Sequence, residues 1–227
     1  MKKIILNILV IVGIILLAGC GSESDALKFK NEYESLNGTT IGNTKYKYPS
    51  VEIIKDNAVK YATSEELLDV LEDGTGVIYF GYPTCPWCRN AVPVLLEAAE
   101  EVGIKDIYYL NVKDERDEIK VKEDGTLEVV NPGTEGYKLL LERLDKILLD
   151  YTLEDLHGNA VSANEKRIYV PLVVFVKDGE IVGYHVDTVP SQTNPFELLN
   201  EEQRNELMDI YINLMHKVAN DVCDSEC

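Results

Sequence analysis

The clearest pattern in the chain is a short apolar run followed by a segment with helical periodicity. Residues 77–80 are β-branched and aromatic, which predicts a buried strand. After a turn, apolar residues recur at helical spacing to about Val102, and a second apolar run occupies residues 107–112. A strand, a helix and a strand in this order form a parallel pair joined by a right-handed crossover. The middle of the chain therefore predicts an α/β fold.

Weaker patterns precede this unit. A helical stretch is predicted around residues 27–36, followed by a loop rich in Gly, Thr and Asn. Residues 51–54 and 59–62 flank Asp56-Asn57, which indicates a strand and is compatible with a hairpin. Hydroxyl and acidic residues at 63–66 predict a capped helix through about residue 72.

The second half of the chain predicts two hairpins and two helices. Asp-Gly dipeptides mark both hairpin turns, and a proline suits the first turn of the last helix. In order, the elements are a hairpin of residues 119–123 and 126–130, an amphipathic helix over 134–149, a hairpin of 168–176 and 180–186, and a helix from Asn194-Pro195 to about residue 222.

The first twenty residues form a separate unit. Lys2 and Lys3 precede an apolar run over residues 4–18, which is typical of a signal peptide covering residues 1–19. The run is shorter than the about 20 apolar residues of a spanning helix, although an uncleaved anchor stays open. Leu17-Ala18-Gly19-Cys20 resembles the lipobox of bacterial lipoproteins, in which the cysteine carries the lipid. We therefore expect lipid anchor, tether and N-terminal extension within residues 20–50, on the extracytoplasmic face of a bacterial membrane.

Charge excludes one class of partner. The chain has 22 basic and 40 acidic residues, a formal net charge of −18, spread along its length. Such a protein repels nucleic acid and anionic lipid headgroups. We predict no nucleic-acid partner, and the sequence indicates no cofactor.

The predicted export of the protein determines how its five cysteines are interpreted. Outside the cytoplasm disulfides persist, so cysteine pairs indicate disulfide chemistry before metal binding. With Cys20 assigned to the lipid, Cys85 pairs with Cys88, and Cys223 pairs with Cys227. The last pair is interpreted as a structural disulfide, with an electron shuttle as the alternative. Zinc or copper bound by these four cysteines is the competing class, but the three histidines show no ligand spacing.

Cys85-Pro86-Trp87-Cys88 lies between the predicted buried strand and the helix that follows it. Free N–H groups and the macrodipole at a helix N-terminus stabilise a thiolate, which lowers the pKa of the first cysteine. Cys85 is therefore the predicted attacking thiol, and Cys88, three residues on, is the predicted resolving thiol. Trp87 either packs locally or contacts substrate, and an exposed ring at this position favours substrate.

With this motif in place, the chain resembles the thioredoxin superfamily. Pro93 matches the proline that kinks the active-site helix of the family, and Gly179 matches the glycine of its last hairpin. Val170-Pro171 stands in the place of the family's cis-proline, which implies that Val170 and Pro171 contact the substrate backbone. The resemblance implies a thioredoxin fold, a central mixed sheet flanked by helices, over residues 51–227.

This resemblance is modified by an insertion and by two substitutions. The segment between the third strand and the cis-proline, about residues 113–169, is longer than in thioredoxin and forms either a lid or docking surface or a scaffold helix over one face of the sheet. The buried aspartate of thioredoxin corresponds to Tyr79, and its lysine partner to Tyr109. Cys88 is therefore predicted to lack a carboxylate base.

A closer resemblance concerns residues 80–90 together with Thr134-Glu135-Gly136-Tyr137. These look like the thioredoxin-like proteins of Gram-positive bacteria named bacteriocin transport accessory proteins. The resemblance implies a membrane-anchored thiol–disulfide oxidoreductase that acts on exported proteins and exchanges electrons with a membrane partner. Whether it oxidises, reduces or isomerises stays open. A non-catalytic adaptor of the same fold is the alternative, and the intact Cys85 and Cys88 argue against it.

Overall fold

The computed structural model describes residues 23–219, so the predicted signal peptide, Cys20, Cys223 and Cys227 lie outside the described residues. The strands are β1 Val59–Tyr61, β2 Gly76–Gly81, β3 Ile107–Asn111, β4 Glu118–Val121, β5 Leu127–Asn131, β6 Leu149–Glu154, β7 Ala160–Arg167, β8 Leu172–Lys177 and β9 Glu180–Val186. The helices are α1 Asp25–Glu34, α2 Ser64–Asp73, α3 Pro86–Val102, α4 Glu135–Arg143 and α5 Glu201–Ala219. None of these helices is long and apolar enough to span a bilayer.

Five strands form one mixed sheet in the order β1-β3-β2-β8-β9. Both β1 and β2 pair with β3 in parallel, whereas β8 is antiparallel to β2 and β9 is antiparallel to β8. The connection from β8 to β9 is a tight turn in which Asp178 and Gly179 have φ of 51° and 75°. A Cβ on Gly179 would lie 2.1 Å from the Glu72 carbonyl oxygen, so only glycine fits where this turn meets α2.

Helices cover both faces of the sheet, because successive strand residues point to opposite sides. One face packs against α1, α3 and α5, and the other packs against α2 and α4. Tyr79 and Val77 of β2 belong to the first core, and Ile78 and Phe80 belong to the second. The sheet is therefore the middle layer of an α/β fold, as predicted, with β2 buried at its centre.

Several predicted elements are confirmed by the structure, including β2, α3, β3 and the hairpin of β4 with β5. Helix α2 is capped as predicted, and its cap is a capping box in which the side chains of Thr63 and Glu66 each accept the other's backbone N–H. The predicted strand at residues 51–54 is wrong. The backbone of Val51 bonds the Asn37 side chain instead, so this segment runs along the N-terminal extension and forms no hairpin.

Two helix boundaries in the second half were predicted wrongly. The helix predicted over residues 134–149 ends at Arg143, and after a short 3₁₀ turn the chain enters β6, which pairs with β7. The last helix begins at Glu201 rather than near Asn194. Its N-terminus is set by Asn200 and Gln203, whose side chains each accept the other's backbone N–H.

The insertion is closed at its base by a buried ion pair. Arg167, which precedes the Val170-Pro171 segment, lies 2.8 Å from the carboxylate of Asp117, which follows β3. The same guanidinium also donates to the Asp117 carbonyl oxygen at 3.0 Å. Between these two residues, α4 buries Tyr137 and Leu140 against the second face of the sheet, so this helix is part of the scaffold.

Candidate active site

The predicted pair of cysteines lies where β2 ends and α3 begins. A turn over residues 82–84 brings the Cys85 backbone N–H to the Tyr82 carbonyl oxygen at 3.1 Å. Cys85 is the N-cap residue of α3, and Pro86 occupies the first helical turn, where its missing N–H has no helical partner to lose. The sulfur of Cys85 therefore lies at the positive end of the helix dipole.

The Cys85 sulfur is held by donors from the first turn of α3. The Cys88 thiol donates to it, the Cys88 backbone N–H lies 3.2 Å away, and the Trp87 backbone N–H also contributes. These bonds hold the pKa of Cys85 below the ordinary thiol value, although burial opposes them. Only 5% of Cys85 is exposed, so little of this residue is open to a reaction partner.

Cys88 has the opposite character. It is fully buried, and burial together with its hydrogen bond to Cys85 raises its pKa well above the ordinary thiol value. Cys85 and Cys88 are both free thiols in the structure. The thiolate form is therefore stabilised at Cys85, which is slightly exposed, whereas the fully buried Cys88 is kept protonated.

The segment around Pro171 lies directly against this pair. The Val170–Pro171 peptide bond is cis, as the resemblance implies, and the Val170 carbonyl oxygen lies 3.7 Å from the Cys85 sulfur. The Pro171 carbonyl oxygen accepts the Asp187 backbone N–H at 2.9 Å, which ties the segment to the end of β9. The structure thus brings Cys85, Cys88, Val170 and Pro171 together from two distant parts of the chain. Trp87 is half-buried beside them.

Beneath the cysteines lies a group of buried tyrosines. Tyr79 of β2 and Tyr109 of β3 stack with ring centroids 5.3 Å apart, and the Tyr79 hydroxyl is 2.8 Å from the Tyr33 hydroxyl of α1. Burial raises the pKa values of Tyr33 and Tyr79 well above the ordinary value, so both hydroxyls stay protonated. The sequence indicated Tyr79 and Tyr109, but it did not indicate that α1 supplies a third ring.

Other residues near the cysteines were also missed from the sequence. Lys113 donates to the Thr84 hydroxyl at 3.4 Å, and the Arg116 guanidinium lies 5.1 Å from the ring centroid of Tyr82. Both basic residues begin the insertion, so its base contacts the turn that carries Cys85. The position of Lys113 and Arg116 directly after β3 was a usable signal, because parallel strands end at the same edge of a sheet.

Metal ligation was the competing interpretation of the cysteines. Among residues 23–219, no group of three or more His, Cys, Asp and Glu side chains is arranged to bind a metal ion. A structural zinc site has four ligands. In this part of the chain, Cys85 and Cys88 have no third or fourth ligand beside them.

Comparison with protein-family models finds no match to this chain, and a search of curated proteins finds none either. A stabilised thiolate, a second thiol three residues away and a backbone segment positioned beside the first sulfur are the components that dithiol–disulfide exchange requires.

The two pKa shifts predict that alkylation separates the cysteines. The thiolate is the reactive form, so reactivity falls as pH drops through the pKa. We expect Cys85 to remain reactive toward iodoacetamide below the about 8.5 of a free thiol, and Cys88 to react only well above it. Peptide mass spectrometry over a pH series measures each cysteine separately. In Cys88→Ala the Cys85 profile should move to higher pH, because the thiol donor is lost; coincident profiles for the two cysteines would contradict this assignment.

Proposed function

We propose that this protein is a thioredoxin-fold thiol–disulfide oxidoreductase that exchanges disulfides with exported proteins. The observation that carries the proposal is the position of the Cys85 sulfur, which accepts a backbone N–H of α3 at 3.2 Å and lies 3.7 Å from the carbonyl before Pro171. The order and directions of the five sheet strands also support this fold.

The exchange takes two steps. The Cys85 thiolate attacks a substrate disulfide, one substrate sulfur leaves as a thiolate, and a mixed disulfide forms between Cys85 and the other substrate sulfur. Cys88 then attacks the Cys85 sulfur, which releases the reduced substrate and leaves a Cys85–Cys88 disulfide. In the opposite direction the same two steps transfer the disulfide to a dithiol substrate. Val170 and Pro171 would position the substrate backbone beside Cys85 throughout.

We further propose that the protein works outside the cytoplasm, attached to the membrane through a lipid on Cys20. The lipobox-like Leu17-Ala18-Gly19-Cys20 segment supports this location, because two acyl chains are sufficient for stable anchoring. Its partners would then be exported protein thiols and disulfides, together with a membrane redox protein that restores the Cys85–Cys88 pair. No cofactor is needed, since both steps are exchanges between sulfur atoms.

Trapping of covalent partners tests the function. In a Cys88→Ala variant the resolving thiol is missing, so mixed disulfides with exported proteins should accumulate on Cys85. Non-reducing electrophoresis of membranes from cells that express the tagged full chain should show adducts that disappear on treatment with dithiothreitol. The matched control is Cys85→Ala with Cys88→Ala, which keeps the fold without the nucleophile. Equal adducts in single and double variants, or none in either, would overturn the proposal.

A further inference from the structure

Cys88 presents a chemical problem that the exchange mechanism leaves unsolved. The resolving step needs the Cys88 thiolate, yet this sulfur is fully buried and burial opposes its ionisation. Tyr79 and Tyr109 face it from the sheet, Tyr33 from α1 and Tyr211 from α5, and all of these are neutral groups. These four groups carry no charge, so the stabilisation that they give to the thiolate comes from hydrogen bonds.

The Tyr79 hydroxyl occupies the place from which such a bond can be given. Its ring folds back over the end of β2, and a Cβ on Gly81 would lie 2.1 Å from the hydroxyl oxygen. Glycine at position 81 therefore leaves the space that the Tyr79 ring fills. From there the Tyr79 hydroxyl lowers the pKa of Cys88 as a hydrogen-bond donor, as does the Tyr82 backbone N–H, although burial and the neighbouring Cys85 raise this pKa more strongly.

Tyr33 is the hydrogen-bond partner of Tyr79, and either hydroxyl of this pair can be the donor. The two hydroxyl oxygens are 2.8 Å apart, and both side chains are fully buried. When Tyr33 donates to the Tyr79 oxygen, the Tyr79 proton is free to point at Cys88. A chain of two aligned hydroxyls also polarises its last member, which strengthens the bond to a charged acceptor.

We propose that the Tyr79 hydroxyl, oriented by Tyr33, donates the hydrogen bond that stabilises the Cys88 thiolate during resolution of the mixed disulfide. This inference rests on the proposed function. In that step a bond forms between the Cys88 and Cys85 sulfurs, and the bond between Cys85 and the substrate sulfur breaks. The departing substrate thiolate takes up the proton that Cys88 has lost, while Tyr79 keeps its own. Tyr79 contacts the reacting sulfur, and Tyr33 is a positioning residue.

Rapid mixing of the reduced soluble chain with glutathione disulfide separates the two steps. Acid quenching followed by mass spectrometry measures formation of the Cys85–glutathione adduct and its later loss to the Cys85–Cys88 disulfide. In Tyr79→Phe we expect the second step to slow about tenfold at pH 7, because a hydrogen bond to a charged group is lost. The pH at which its rate levels off should rise, since the pKa of Cys88 rises. The first step should stay within about twofold of wild type, because Cys85 keeps its own donors.

Two further variants test whether the effect is specific to the Tyr79 hydroxyl. Tyr33→Phe should slow the second step by about threefold, since it removes only the orienting hydroxyl. Tyr211→Phe is the matched control: its buried hydroxyl has no hydrogen-bond partner among residues 23–219, and we expect no change in either step. The inference is overturned if Tyr79→Phe resolves at the wild-type rate with an unchanged pH profile, or if Tyr211→Phe slows resolution equally. A wild-type protein that forms no adduct at all would instead refute the proposed function.

Discussion

Replacement of Cys85 by serine is expected to abolish disulfide exchange. A serine hydroxyl is not ionised near neutral pH and forms no disulfide, so the rate should fall to the uncatalysed level, roughly 10³-fold or more below wild type. Cys88→Ser should behave differently. It keeps the N-cap geometry of Cys85, so it should complete the first step and stop at the mixed disulfide. Reduction of a disulfide-bonded peptide, followed as turnover and as a single-turnover burst, measures both outcomes.

The distal cysteines provide the control for this experiment. A variant with both Cys223 and Cys227 replaced by serine should retain the wild-type rate if that pair is structural. Loss of exchange in this variant, with retention in Cys85→Ser, would move the reactive centre away from α3 and contradict the mechanism. A drop in both variants would support the alternative in which Cys223 and Cys227 relay electrons to Cys85.

Replacement of Arg89 by alanine is expected to produce the largest loss of stability. Arg89 follows Cys88 in α3, and its side chain is completely buried. It donates to the carbonyl oxygens of Pro49 at 2.7 Å, Tyr33 at 2.8 Å and Pro83 at 3.2 Å, and to the Asn37 side-chain oxygen at 2.6 Å. The variant loses these hydrogen bonds, leaves the buried acceptors without a donor and creates a cavity. Together these effects should lower the free energy of unfolding by about 4 kcal/mol.

Urea unfolding followed through Trp87, the one tryptophan in the chain, measures this change beside the site itself. Arg204→Ala is the matched control, because Arg204 forms a partly exposed ion pair with Glu97 on the same side of α3. Its loss should cost less than about 1 kcal/mol. If Arg89→Ala unfolds within 1 kcal/mol of wild type, the buried guanidinium does not hold the N-terminal extension to the active-site helix.

Local signals were sufficient for the centre of the fold. Strand β2, helix α3 and strand β3 were predictable because a buried strand is a short apolar run and a long helix repeats every 3.6 residues. The cysteine pair lies at the junction of these two elements, so its place at a helix N-terminus followed directly. The Val170–Pro171 segment came from a resemblance, and its contact with Cys85 spans 85 residues that no periodicity connects.

The remaining features depend on contacts between distant residues. The turn from α4 into β6 was missed because apolar residues Leu144, Ile147 and Leu148 fit a helical period, while the pairing strand β7 is mostly polar. The buried position of Arg89 was missed because three of its four acceptors come from the extension, 40 to 56 residues earlier. The contact of Tyr33 with Tyr79 joins residues 46 apart, so a neutral hydroxyl pair beside Cys88 was not foreseeable.

Helix α1 begins closer to Cys20 than the sequence indicated. Ser24 caps α1, and the Asp25 carboxylate accepts the Tyr61 backbone N–H at 3.0 Å, near the end of β1. Only four residue steps separate Ser24 from Cys20, at most about 14 Å of extended chain. Because β1 and β2 run in the same direction, two strand positions apart, the start of α1 lies at the sheet edge that carries Cys85, displaced sideways by about 10 Å. With a lipid on Cys20, the reactive sulfur would work within a thin zone next to the bilayer, where newly exported chains emerge, and distant proteins would be beyond its reach.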